Sequence, residues 1–231
     1  MVAAIGWGVL AASSLVLGAL LGCARPWPDR AVGLVLAFGA GALISAVSFD
    51  LAQEGARLGD PGVVGAGLAA GAVTYFALDR RVERGGGEGG GASLALGAFL
   101  DGIPEQMVLG IGIAGGEGVS VGLLAAIFVS NLPEAIGSAT ELKAAGKRDA
   151  EIRRLWIGVA VICAAATVVG YAIGDSVSGN ANAAVDGFAA GALLVMLIDS
   201  MIPSAVRKGG DVAGLVTVLG FAVAAALSGI S

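Results

Sequence analysis

The sequence predicts an all-α integral membrane protein of eight transmembrane helices, with inverted repeats and both termini outside. Three observations point there. First, of 231 residues 57% are hydrophobic and only 13% charged, with a mean hydropathy of +0.90. A soluble domain carries about a quarter charged residues, and one small core cannot hide this much apolar surface from water. Second, glycine reaches 40 residues. That is costly in a soluble helix but favoured where helices pack closely in lipid. Third, the basic residues fall almost entirely on alternate connections between apolar runs.

A spanning helix needs about 20 apolar residues. Runs of that kind fall at approximately 4–22, 31–56, 61–79, 91–114, 119–142, 152–174, 182–205 and 211–230. The first ends in Leu20-Leu21-Gly22-Cys23, which looks a little like a lipoprotein cleavage signal. No Lys or Arg precedes it, so the basic n-region of a signal peptide is missing and 4–22 reads as a retained helix. After the third run, residues 80–91 contain Gly85-Gly86-Gly87-Glu88-Gly89-Gly90-Gly91, a composition expected of a flexible cytoplasmic loop. The chain from 1 to 231 reads as one transmembrane domain.

The connections after odd-numbered runs hold Arg25, Arg30, Arg80, Arg81, Arg84, Lys143, Lys147, Arg148, Arg153, Arg154, Arg207 and Lys208. Those after even-numbered runs hold only Arg57. A split this sharp fits the positive-inside rule and supports a count of eight.

Two internal repeats add direction. Phe38-Gly-Ala-Gly-Ala-Leu43 returns as Phe188-Ala-Ala-Gly-Ala-Leu193, in the second and seventh runs. Asp101-Gly-Ile-Pro-Glu105 in the fourth has a counterpart in Ser130-Asn-Leu-Pro-Glu134 in the fifth. With alternating topology each pair runs in opposite directions, a recurrent transporter design with the site at the repeat interface.

A carboxylate at membrane depth is expensive and is read first as functional. Asp101 and Glu105 lie four apart and share a helix face; Asn131 and Glu134 lie three apart and do likewise. Pro104 cannot donate to the carbonyl of Leu100, nor Pro133 to that of Val129. Backbone oxygens freed at that depth are tolerated where they line a cavity or find another partner. Carboxylate, amide and carbonyl oxygens together make a cage for a hard cation. Every Lys and Arg sits in or beside a connection, so these acids must be protonated, hydrated or bound to a cation. Asp50 and Glu54, with Gln53, near the end of the second helix, and Asp199, with Ser200, in the seventh, are expected along the transport pathway or at the interface. Ser45 and Ser48 are read as packing residues, and Cys23 and Cys163 as small buried hydrophobes.

At the Pro-Glu pair the sequence resembles the ZIP family of divalent-metal transporters, which carries a His-Asn-x-Pro-Glu-Gly pattern in its fourth helix and a related pattern ending in Pro-Glu in its fifth. The resemblance extends over the whole chain. It implies that Asp101, Glu105, Ser130, Asn131 and Glu134 are the metal ligands and that the ion moves inward. The departures are Asp101 for the first His, Gly102 for the Asn, and Ser130 for a ligand on the fifth helix. The sixth helix offers no acid, with Thr167 its best polar residue, so one ion is expected. With no histidine in the chain, the site is all oxygen, which suits manganese or ferrous iron beside the family's zinc, with cadmium a further test metal. The fourth and fifth helices, with the second and seventh, are expected to move against the rest.

No organic cofactor is implied, and the sequence offers no ATP-binding loop. A net charge of −5 and 5% aromatic residues argue against a nucleic-acid partner. The expected partners are the lipid bilayer of a cell membrane and the metal ion as substrate; a homodimer is left open. An enzyme is not expected, since an intramembrane hydrolase would need a nucleophile and a base. The alternatives are a proton-coupled carrier of another solute and a degenerate member that binds metal without transporting it.

Overall fold

A computed structural model describes residues 1–25, 27–84, 90–114, 121–174 and 179–228. The side chains of several residues within the helices, Asp101, Pro104 and Ser130 among them, lie outside the described residues. The described chain is helical throughout. Its elements are α1 (Val2–Ala24), α2 (Asp29–Ser45), α3 (Glu54–Leu58), α4 (Pro61–Arg84), α5 (Gly90–Ala114), α6 (Val121–Ala144), α7 (Asp149–Ile173), α8 (Gly179–Met196), α9 (Ile202–Gly209) and α10 (Ala213–Ser228). A π-helical segment, Ala46–Gln53, joins α2 to α3 without a break, and a second, Leu197–Met201, joins α8 to α9.

Several helices extend past the apolar runs that seed them, among them α1, α4 and α5. In particular α4 continues through Arg80, Arg81 and Arg84, and α5 begins at Gly90. The loop expected over 80–91 is therefore helical at both ends, because nothing before the glycine run breaks the helix. Residues 85–89 lie outside the described residues.

Among the described residues, five stretches are long and apolar enough to cross a bilayer: Val2–Ala24, Asp29–Leu58, Pro61–Arg81, Asp149–Ile173 and Gly179–Leu227. The last turns a corner at Gly210, whose φ of 68° is comfortable only for glycine. Side chains are sorted in the sense lipid demands. Large apolar residues such as Leu215, Val218, Val73 and Val161 are exposed, while α1 buries Ala4, Gly8, Ala11, Ala12, Gly18 and Ala19. An outward face of this size would be a docking or aggregation surface in water; in hydrocarbon it is simply solvated.

The apolar core is built in two main parts. One joins α2, α4, α8, α9 and α10 through Leu36, Leu43, Tyr75, Leu193, Ala205 and Ala213. The other joins α1, α5, α6 and α7 through Leu15, Ala98, Ala135, Ile152, Trp156 and Cys163. The closest pairings follow this division: α4 on α8, α10 on α2, α1 on α6 and α5 on α7.

Glycines set how closely these pairs approach. A methyl group built on Gly41 of α2 would lie 1.8 Å from the Thr217 carbonyl of α10, and one on Gly191 of α8 would lie 2.0 Å from the Leu68 carbonyl of α4. The contacts are also reciprocated: Gly220 meets the Phe38 carbonyl and Gly71 the Phe188 carbonyl, each at 2.0 Å. Gly41 and Gly191, like Phe38 and Phe188, occupy matching places in the repeated hexapeptide. The first π segment, shifted by the spacing of that repeat, covers the second, shorter one.

Candidate functional site

The segment around Glu134 lies deep because its neighbours give way to it. On α1, a side chain at Gly18 would meet the Leu132 carbonyl at 2.6 Å, and one at Gly22 would meet Ala139 at 2.8 Å. On α2, a side chain at Gly39 would lie 2.9 Å from the Pro133 ring. Conversely, Gly137 of α6 makes room for Leu36. With α1 and α2 both seated against this stretch, Asn131, Glu134 and Ser138 are buried, Glu134 entirely. Pro133 stands inside α6, so the Val129 carbonyl loses its helical donor.

On α5 the wall is α7. Gly170 brings α7 against the Met107 carbonyl, and Gly110 brings α5 against the Thr167 carbonyl. Glu105 and Gln106 are buried here. Helix α5 also packs on α6, so the two Pro-Glu motifs lie on helices in mutual contact. Glu105, Asn131 and Glu134 are thus interior residues, as their sequence positions imply. The side chains of Asp101 and Ser130 lie outside the described residues. Among the described residues no three His, Cys, Asp or Glu side chains are gathered closely enough to hold a metal ion by themselves.

Both polar atoms of Asn131 are buried without a hydrogen-bond partner among the described residues. A buried amide left that way costs about 1–3 kcal/mol per group, and such an exception calls for an explanation. Gln106 is half-satisfied: the Thr167 hydroxyl donates to its Oε1, while its Nε2 has no partner among the described residues. Ion pairs at helix ends join Arg57 with Glu54, Lys143 with Asp149, Arg148 with Glu151, and Lys208 with Glu141.

The departure at position 102 has a steric basis. A methyl group on Gly102 would lie 2.7 Å from the Cys163 sulfur of α7, and Cys163 is completely buried. The thiol occupies the space a side chain at 102 would need. Both cysteines are buried, as expected.

The secondary acids are less enclosed. Asp50 is half-buried and Asp199 exposed, each on a π segment, and Glu54 is half-buried and paired with Arg57 at 2.9 Å. Ser45 is buried, and Ser48 donates to the Ile44 carbonyl. Sequence reasoning passed over Gln106, Ser138, Asp79 and Asp186, all buried. Ser138 follows Glu134 by one helical turn, and Asp186 is an acid inside an apolar run; both signals were present. Asp186 sits against Gly55 of α3, where a methyl group would lie 3.4 Å from its Oδ2.

No protein-family profile matches the chain, and no characterised protein matches it either.

Proposed function

We propose that this chain is a multi-pass permease that carries a divalent cation across a cell membrane, using oxygen ligands on α5 and α6. The observation that carries the reading is the burial of Glu105, Asn131 and Glu134 on two packed, proline-bearing helices, with the Asn131 amide unpartnered among the described residues. A dehydrating cation has the chemistry to use such groups: carboxylate and amide oxygens replace its water. Asp101 and Ser130 would complete the set, as the resemblance to the ZIP family implies, with inward movement of one ion. Zinc is the family's metal; manganese and ferrous iron suit an oxygen-only site.

The membrane arrangement proposed is eight spans with both termini outside, α2 with α3 and α8 with α9 each forming one span. The reciprocated contacts of Gly41, Gly71, Gly191 and Gly220 support inverted repeats, since an exchange of halves maps each contact onto another. The two core parts support a division of moving bodies different from the one expected from sequence. Here α1, α5, α6 and α7 carry the ion, and α2, α4, α8, α9 and α10 form the frame. The Pro133–Gly39 contact and the Lys208–Glu141 ion pair cross between the two bodies.

The test is uptake of Zn, Mn, Fe and Cd into liposomes by the wild type and by Glu105→Gln and Glu134→Gln. Each substitution is expected to lower uptake at least about tenfold. Uptake that is metal-independent, or unchanged by both substitutions, overturns the proposal. Metal binding without uptake would leave the protein a non-transporting metal binder.

A further inference from the structure

At the corner where α9 turns into α10, a recess of about 360 Å³ is lined by Arg30, Arg207 and Lys208, with Asp211 and the backbone of Gly209–Val212. Three cations thus face one cavity that contains a single carboxylate. Lys208 is engaged with Glu141 at 2.5 Å, and Arg207 donates to the Ser204 hydroxyl at 3.2 Å. Neither Arg30 nor Arg207 has a carboxylate partner among the described residues. Guanidinium groups lining a recess without a carboxylate partner are suited to phosphate, which they bind through paired N–H donors.

We infer that this recess holds the phosphate of an anionic phospholipid headgroup at the inner membrane surface. Two features favour a lipid over free phosphate. The recess opens at the foot of α10, whose Leu215, Val218 and Leu219 are all more than half exposed, a face along which an acyl chain can lie. Close by in sequence, Trp27 stacks under Arg25 at 4.5 Å, and Trp with Arg is the usual marker of the headgroup level. A basic pocket at helix ends on the positive side of a membrane is where anionic headgroups are attracted. The inference rests on the membrane topology, not on the metal.

The experiment is native mass spectrometry of the purified protein exchanged into mixed micelles of phosphatidylglycerol and phosphatidylcholine. The wild type is expected to retain phosphatidylglycerol with roughly tenfold preference, and Arg30→Gln/Arg207→Gln to lose it. Arg153→Gln/Arg154→Gln, which removes the same charge from exposed positions on α7, is expected to keep it and to control for folding. Equal retention of the two lipids, or equal loss in both double variants, overturns the inference. So does displacement of the lipid by millimolar inorganic phosphate, which would assign the recess to the free ion.

Discussion

Replacing Gly102 with alanine is the sharpest local test of how α5 is held. The new methyl group would sit 2.7 Å from the Cys163 sulfur, about 0.7 Å short of the 3.4 Å where ordinary contact begins. The thiol is entirely buried, in the same apolar core as Ala98, Ala160 and Trp156. Helices α5 and α7 must part, and overpacking of this kind costs about 1–3 kcal/mol. For a chain of this length a loss of about 2 kcal/mol lowers the melting temperature by about 4–8 °C. Cys163→Ala removes the colliding atom, so the double variant should melt above Gly102→Ala alone. Thermal unfolding in detergent of the wild type, both single variants and the double variant closes a double-mutant cycle. The coupling should favour the double variant by at least about 1 kcal/mol. If Gly102→Ala melts with the wild type, or Cys163→Ala rescues nothing, the thiol is not what excludes a side chain at 102.

Gly41→Ala should destabilise by about 1–3 kcal/mol, because its methyl would meet the Thr217 carbonyl and backbone cannot rotate away; Gly6→Ala, with nothing within 4 Å, should leave the unfolding midpoint unchanged or slightly raised. Asn131→Leu should raise stability by about 1–3 kcal/mol, since it removes a buried amide without partners among the described residues; under the proposed ligand role it should also abolish the stabilisation by added metal expected of the wild type, and equal stabilisation of wild type and variant by metal in thermal scans would refute that role. Breaking the Lys208–Glu141 pair with Lys208→Glu should destabilise by about 3 kcal/mol, the cost of stranding a largely buried charge, and, under the proposed permease function, change the uptake rate. The exchange Lys208→Glu/Glu141→Lys should recover most of both, and no recovery in a flux assay would refute a pairing role.

Hydropathy, the two Pro-Glu motifs and the distribution of arginine and lysine are local properties, and they located the helices, the buried Glu105, Asn131 and Glu134, and the burial of Cys23 and Cys163. The apolar runs 4–22, 61–79 and 91–114 each fell inside a single observed helix, because a segment that must satisfy its own backbone in lipid becomes a helix whatever its neighbours are. Ends were harder, since nothing apolar marks where Arg80, Arg81 and Arg84 stop being helical.

What only the tertiary structure decided concerns pairs of residues far apart in the chain. The Thr167 hydroxyl on Gln106, the Cys163 thiol opposite Gly102, and Lys208 on Glu141 leave no periodic trace, because each needs two helices to choose a register. The same holds for the π segments at Asp50 and Asp199 and for the two-part core that regrouped α1 with α5, α6 and α7. Composition says that small residues will let helices touch; which glycine meets which carbonyl depends on the interlocking of whole helix faces, and that exists only once the chain has folded.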